Sequence, residues 1–107
     1  MSWQNIETAE DKAAKLVEQE RQAFKANRDQ LLDSMTYKFA DGSEIQNRPI
    51  DAPQLQTAIA IGVDRDWLMA DNTKRLVTVA ELNDALNDGI LKASIIWQEY
   101  IDAIDSI

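Results

Sequence analysis

The side chains of this sequence that could do chemistry are mainly its 19 carboxylates. Asp64, Asp66 and Asp71 lie close together in sequence, a density that could indicate a Ca²⁺ loop. An EF-hand loop also needs a central glycine and a glutamate at its twelfth position, and only the first two ligand positions match here. We therefore expect these carboxylates to be exposed turn residues.

Other catalytic chemistry has little support in the composition. The chain contains no cysteine and no histidine, which excludes thiolate nucleophiles, disulfides, imidazole bases and the commonest transition-metal ligands. Two carboxylates could still act as acid and base, but apolar neighbours would have to separate their pKa values. No pair in the sequence has such neighbours. We expect no enzyme activity, catalytic residue, cofactor, metal site or small-molecule substrate.

The charge of the chain also limits its partners. The formal net charge is −8, which disfavours binding to nucleic acid and to anionic membranes. Residues 79–107 carry six acidic residues and one basic residue, a net charge of −5. Glu81, Asp84 and Asp88 would lie along one side of a helix. This row is either a solvated helix face or a binding surface. In the second case the protein would have an alternative function, as a DNA-mimic-like inhibitor of a host DNA-binding protein.

Three aromatic residues are candidates for binding. Trp67, Trp97 and Tyr100 could stack on bases or sugars, but the negative charge of the chain disfavours binding to nucleic acid. A tryptophan and a tyrosine three residues apart on an amphipathic helix are more typical of core or oligomer-interface anchors. We predict that all three take part in protein contacts.

The first element that the pattern predicts is a long helix over residues 9–33, with Thr8 as its N-cap. Trp3, Val17, Phe24 and Leu31 fall on a seven-residue spacing, which Glu10 breaks. Such a narrow apolar line either packs on the rest of the chain or pairs with other copies in a short coiled coil. We therefore interpret residues 1–35 as a helical extension for oligomerisation or attachment and predict that Val17, Phe24 and Leu31 make interactions.

Residues 36–107 predict a small domain. Turn pairs at Asp41-Gly42 and Asp71-Asn72 indicate two β-hairpins, and a short helix with Asp51 as its expected N-cap separates them. The last helix begins at a capping box of Thr78 and Glu81 and continues to about the end of the chain. The fold class is therefore α+β, with two long helices, one short helix and two hairpins that form a small antiparallel sheet.

A glycine within the last helix suggests a close contact. Gly89 costs a helix about 1 kcal/mol relative to alanine. We expect another backbone to pack closely against the last helix at this position.

Residues 36–106 resemble a small domain of unknown function that occurs in bacteriophages and prophages, near or within tail-fibre and tail-fibre-assembly proteins. The resemblance is carried by "DAPQLQ" at residues 51–56, by Trp67 followed by "ADN" at residues 70–72, and by "TVAEL" at residues 78–82. The final "IDAI" at residues 101–104 extends the similarity.

The resemblance implies a context and supplies no catalytic residues. It implies a non-enzymatic structural or assembly protein whose partner is a phage tail or fibre protein. It also suggests a homo-oligomer, because tail fibres are commonly trimeric. The N-terminal residues lack the features of a secretory signal. The expected location is the host bacterial cytoplasm during assembly, with the virion tail as the alternative.

Overall fold

The computed structural model describes residues 8–107. Helix α1 spans Ala9–Asp33, and it begins at Thr8 in a capping box with Asp11. The Thr8 hydroxyl accepts a hydrogen bond from the Asp11 amide, and the Asp11 carboxylate accepts one from the Thr8 amide. No residue of α1 is fully buried. The prediction of this helix and its cap is therefore confirmed. In its apolar line, Val17 and Phe24 are half-buried and Leu31 is exposed.

The first hairpin follows α1. Strands β1 (Thr36–Lys38) and β2 (Glu44–Gln46) pair antiparallel around a turn in which the Asp41 carboxylate accepts hydrogen bonds from the Ser43 amide and hydroxyl. A 3-10 turn over Pro49–Asp51 leads into α2 (Ala52–Ile61). Gly62 ends α2 in the left-handed region at φ 76°, where glycine has no steric penalty.

The second hairpin stays separate from the first. Strands β3 (Arg65–Leu68) and β4 (Lys74–Val77) pair with each other, and the fold has two two-stranded sheets in its described residues. The two hairpins therefore do not form the single sheet that the sequence predicts. They are joined instead by a hydrogen bond in which the Ala70 amide donates to the Glu44 carbonyl over 2.9 Å. Ala70 lies beyond the end of β3, so this bond joins a turn to a strand and extends neither ladder.

Helix α3 spans Val79–Asp105 and begins with the predicted capping box of Thr78 and Glu81. Helix α1 runs antiparallel beside it. Just after the end of α1, the Thr36 carbonyl accepts a 3.1 Å hydrogen bond from the Lys92 ammonium in the middle of α3. Earlier in the chain, Arg28 of α1 contacts Trp97 and Tyr100, which come later in α3. The result is an elongated molecule of 70 × 26 × 24 Å.

The core lies where both hairpins and α2 meet the first half of α3. The largest fully buried side chains in the described residues are those of Ile45, Leu55, Met69, Leu82 and Val77. Turn and strand residues therefore pack against one side of α3 only. The second half of α3 has α1 as its neighbour and keeps much of its surface exposed.

The α+β fold class is confirmed, with two long helices, one short helix and two antiparallel hairpins. The division into a 1–35 extension and a 36–107 domain remains a prediction. Residues 1–7, including Trp3, lie outside the described residues. None of the helices within residues 8–107 is both long enough and apolar enough to cross a membrane.

Candidate protein interaction surface

The contact between α1 and α3 is centred on Arg28. Its guanidinium carbon lies 4.4 Å from the ring centroid of Trp97 and 4.4 Å from that of Tyr100. The two rings meet edge to face with centroids 5.8 Å apart. Asp29 accepts a 2.8 Å hydrogen bond from the same guanidinium. Cation–π contact and ion pairing together hold the Trp97 ring in a defined orientation.

Helix α3 carries an apolar line that the rest of the fold covers only in part, which we call the outer seam. Its members follow alternating steps of four and three residues, the spacing of a coiled-coil seam: Leu86, Ile90, Ala93, Trp97, Tyr100 and Ile104. Ile90 is 56% exposed and Trp97 is 43% exposed. Ile101, beside the seam, is 46% exposed. Side chains of this size and exposure on one helix face make the outer seam a candidate protein contact surface.

A cavity of about 270 Å³ opens beside the outer seam, two helical turns before Trp97. It lies between α3, the 3-10 turn and the start of α2. Its wall is almost entirely apolar and is formed by Asn47, Pro49, Ala52, Leu86, Gly89, Ile90 and Ala93. An engineered cavity of about 150 Å³ accommodates benzene, so this one has room for a larger aromatic group.

Asn47 and Gly89 fix the floor of this cavity. Asn47 is 3% exposed, and its amide nitrogen donates to the Ala85 carbonyl over 2.9 Å and to the Asp88 carboxylate over 3.0 Å. A Cβ atom on Gly89 would lie 2.6 Å from the Asn47 carbonyl oxygen. The predicted close approach of another backbone at Gly89 is thus confirmed, and the cavity is preformed.

The outer seam is bordered by uncharged side chains. At 100° per residue, the helix places its charged residues between Glu81 and Asp102 on the other side of α3. The positions on this border are Asn83, Asn87, Ser94, Gln98 and Ile101, followed by Asp105 in the last turn. From residue 83 to residue 104 the border has no charged side chain, although the whole chain has a charge of −8, and this part of α3 permits contact with another acidic surface.

The structure brings four of the six predicted interaction residues together. Phe24 and Leu31 from α1 line one shallow cavity with Tyr100 from α3, and Arg28 joins Trp97 to this group. This packing favours the expectation that the α1 line lies against the chain itself. Val17, two turns before Phe24, is half-buried.

Trp67 lies elsewhere, on β3, where it packs against the core. It also lines a polar cleft of about 250 Å³ with Arg65, Gln46, Gln54 and other residues. It is therefore separated from Trp97 and Tyr100. Whether any of the six predicted residues binds a partner remains a prediction.

The carboxylates of the second hairpin each have a local role. Asp64 accepts a hydrogen bond from the Val79 amide over 3.0 Å at the start of α3. Asp66 lies 3.7 Å from the Lys74 ammonium. Hydrogen bonds from the hydroxyl and amide of Thr73 lower the pKa of Asp71. Within residues 8–107, no group of three or more acidic side chains is arranged to hold a metal ion.

The acidic row of α3 is partly neutralised. Arg75 donates to Glu81 over 2.8 Å, and this bond, with the Thr78 amide, lowers the pKa of Glu81. Asp88 lies 2.9 Å from the Lys92 ammonium and accepts from Asn47. Two of the three row carboxylates are thus engaged within the chain, which weakens their resemblance to a row of phosphates.

Sequence reasoning found Trp97 but missed the cavity that accompanies it. Pro49 and Ala52 reach the seam only through the path of the chain after β2, which no local pattern specifies. The signal that was available is the combination of Gly89 with the four–three spacing from Leu86 to Ile104. That spacing predicts a second packing face beside the one used for the core.

No family model matches this chain, and no curated protein or solved structure matches it either.

Proposed function

We propose that the protein is a non-enzymatic structural or assembly component of a phage or prophage tail and acts through protein–protein contacts. The observation that carries the proposal of protein contact is the outer seam, where Ile90 and Trp97 remain about half exposed beside a preformed apolar cavity. The tail context rests on the sequence resemblance of residues 36–106. Its partner would be a tail or fibre protein, in the host cytoplasm during assembly.

The acidic-inhibitor alternative has less support. A DNA mimic needs carboxylates that are free to meet the cations of a DNA-binding protein. Glu81 and Asp88 are instead paired with Arg75 and Lys92. The uncharged side of α3, in contrast, combines exposed apolar groups with a cavity.

Deletion of the gene from a phage or prophage that carries it tests the tail function. We expect particles with incomplete tails or missing fibres in electron micrographs, and we expect an intact copy of the gene supplied in trans to restore them. Particles of normal appearance and full infectivity after deletion would contradict the proposal. Separately, mass spectrometry of purified particles would show whether the protein is a component of the virion or an assembly factor that is absent from the finished particle.

A further inference from the structure

The outer seam carries a projection and a recess of matching character. Trp97 projects from α3 with 43% of its surface exposed, and Arg28 holds its ring in place. The apolar cavity at Gly89 and Ile90 lies on the same side of α3. Seven residues separate Ile90 from Trp97, which is about 10.5 Å along the helix axis.

We propose that this surface binds a second copy of the chain, with Trp97 of each copy inserted into the Gly89–Ile90 cavity of the other. A two-fold axis between Ala93 and Ser94 relates position 90 to position 97 when two α3 helices lie antiparallel. Each tryptophan then faces the opposite cavity. Such an interface is isologous, because the same patch on both subunits supplies the projecting group and the recess.

The charge distribution favours a second copy as the occupant. Two chains of charge −8 repel each other unless their contact avoids the acidic residues. The outer seam and its border from Asn83 to Ile104 carry no charged side chain, and the acidic residues of α3 from Glu81 to Asp102 lie on the other side. Asp105, in the last turn, is the one acidic residue of α3 that falls on the border side. A basic partner would gain most by binding that other side.

The charged groups near the proposed interface are paired within each copy. Arg28 lies 2.8 Å from Asp29, and Arg48 lies 2.8 Å from Asp51 and 3.9 Å from Asp33. The first group has no net charge and the second has a net charge of −1, so together they add little to the repulsion between copies. A buried aromatic side chain in a preformed apolar recess, surrounded by polar groups, is the usual arrangement of an interface hot spot.

The dimer proposal rests on the proposed function only in that both require the protein to act through protein contacts. The tail function could fail while the protein still dimerises, and the protein could be monomeric yet still required in the tail. The gene deletion tests the tail function, and the measurements on the purified chain test dimerisation.

Analytical ultracentrifugation of the purified chain over a wide concentration range tests the interface. We expect a reversible dimer. Trp97→Ala removes the projecting ring, and Ala52→Phe fills the cavity, so we expect each to weaken dimerisation by about 30-fold or more, the loss typical of a hot-spot side chain. Leu91→Ala is the matched control, because Leu91 is 62% exposed on the other side of α3, and it should leave the dimer unchanged.

Mixing the two weakened variants tests the reciprocal geometry. The Trp97→Ala chain keeps its cavity and the Ala52→Phe chain keeps its tryptophan, so the mixture should form a heterodimer with one occupied cavity. A wild-type chain that stays monomeric would overturn the proposal. It would also be overturned by a mixture that stays monomeric, or by Leu91→Ala acting as strongly as Trp97→Ala.

A cross-link keeps the proposal testable if Ala52→Phe fails to fold. The chain has no native cysteine, so a Ser94→Cys chain should form an intermolecular disulfide across the two-fold axis on mild oxidation. Leu91→Cys should form far less under the same conditions. Equal cross-linking of the two variants would show that the contact is random and would overturn the proposed interface.

Discussion

Replacing Gly89 with alanine measures how tightly the floor of the cavity is packed. In an open helix this change stabilises by about 1 kcal/mol through helix propensity. Here the new Cβ would lie 2.6 Å from the backbone carbonyl oxygen of Asn47, 3.2 Å from its side-chain amide nitrogen and 3.3 Å from its Cβ. The first contact is with backbone, so the strand end or α3 must move.

The expected loss exceeds the gain. Overpacking a tight site costs about 1–3 kcal/mol. Displacing Asn47 also weakens its hydrogen bonds to the Ala85 carbonyl and the Asp88 carboxylate, each worth about 1 kcal/mol. After subtraction of the propensity gain, Gly89→Ala should lower the free energy of unfolding by about 1–3 kcal/mol.

Urea denaturation followed by circular dichroism gives this free energy from the midpoint and slope. Protein concentration must be equal for all variants, because dimerisation adds to apparent stability. Asn87→Ala is the control, an exposed position on the same helix where alanine should stabilise by a few tenths of a kcal/mol. If Gly89→Ala stabilises as much as this control or more, the close approach of Asn47 is not a tight contact.

Two further predictions concern ion pairs. Arg75 lowers the pKa of Glu81 below its ordinary value of 4.5, so this carboxylate stabilises the fold above that pH and the contribution is lost as pH falls through the lowered pKa. The difference in unfolding free energy between wild type and Glu81→Gln should therefore shrink on acidification, and a constant difference would contradict this; Glu99→Gln, at an exposed position of α3, is the control in the same assay. Arg28→Ala should cost about 1–2 kcal/mol because two cation–π contacts and the packed stem are lost, and Arg28→Lys should restore only part of it. Arg21→Ala, at an exposed position of α1, is the control in the same denaturation assay, and an equal loss there would refute the role of the stacked rings.

The elements that could be predicted from the sequence are those with local signals. Helix α1 and its cap at Thr8 depend on neighbouring residues, as do the Asp41-Gly42 turn and the Thr78–Glu81 capping box. Asp51 shows where local reasoning was incomplete. It was expected to cap α2, but its carboxylate instead accepts a 2.8 Å hydrogen bond from Arg48, and no side-chain cap is present at this helix.

The candidate site depended on contacts between distant parts of the chain. Arg28 and Trp97 are both visible in the sequence, but nothing local places one over the other. The cavity requires Pro49 and Ala52 to reach Gly89, and this follows from how the first hairpin packs on α3. Pattern analysis could therefore identify the apolar residues of α3, whereas the recess beside them needed the tertiary structure.

The antiparallel pairing of α1 and α3 has a consequence for synthesis of the protein. Helix α1 is translated before every other described element, yet the residues it packs against, near Trp97 and Tyr100, are among the last. Until they are translated, a nascent α1 has only its own cap and neighbouring-turn contacts to keep it helical, whereas most helix stability in proteins comes from tertiary packing. Its Phe24 and Leu31 side chains are then accessible to chaperones, and the α1–α3 contact forms only after the second half of α3 has been translated.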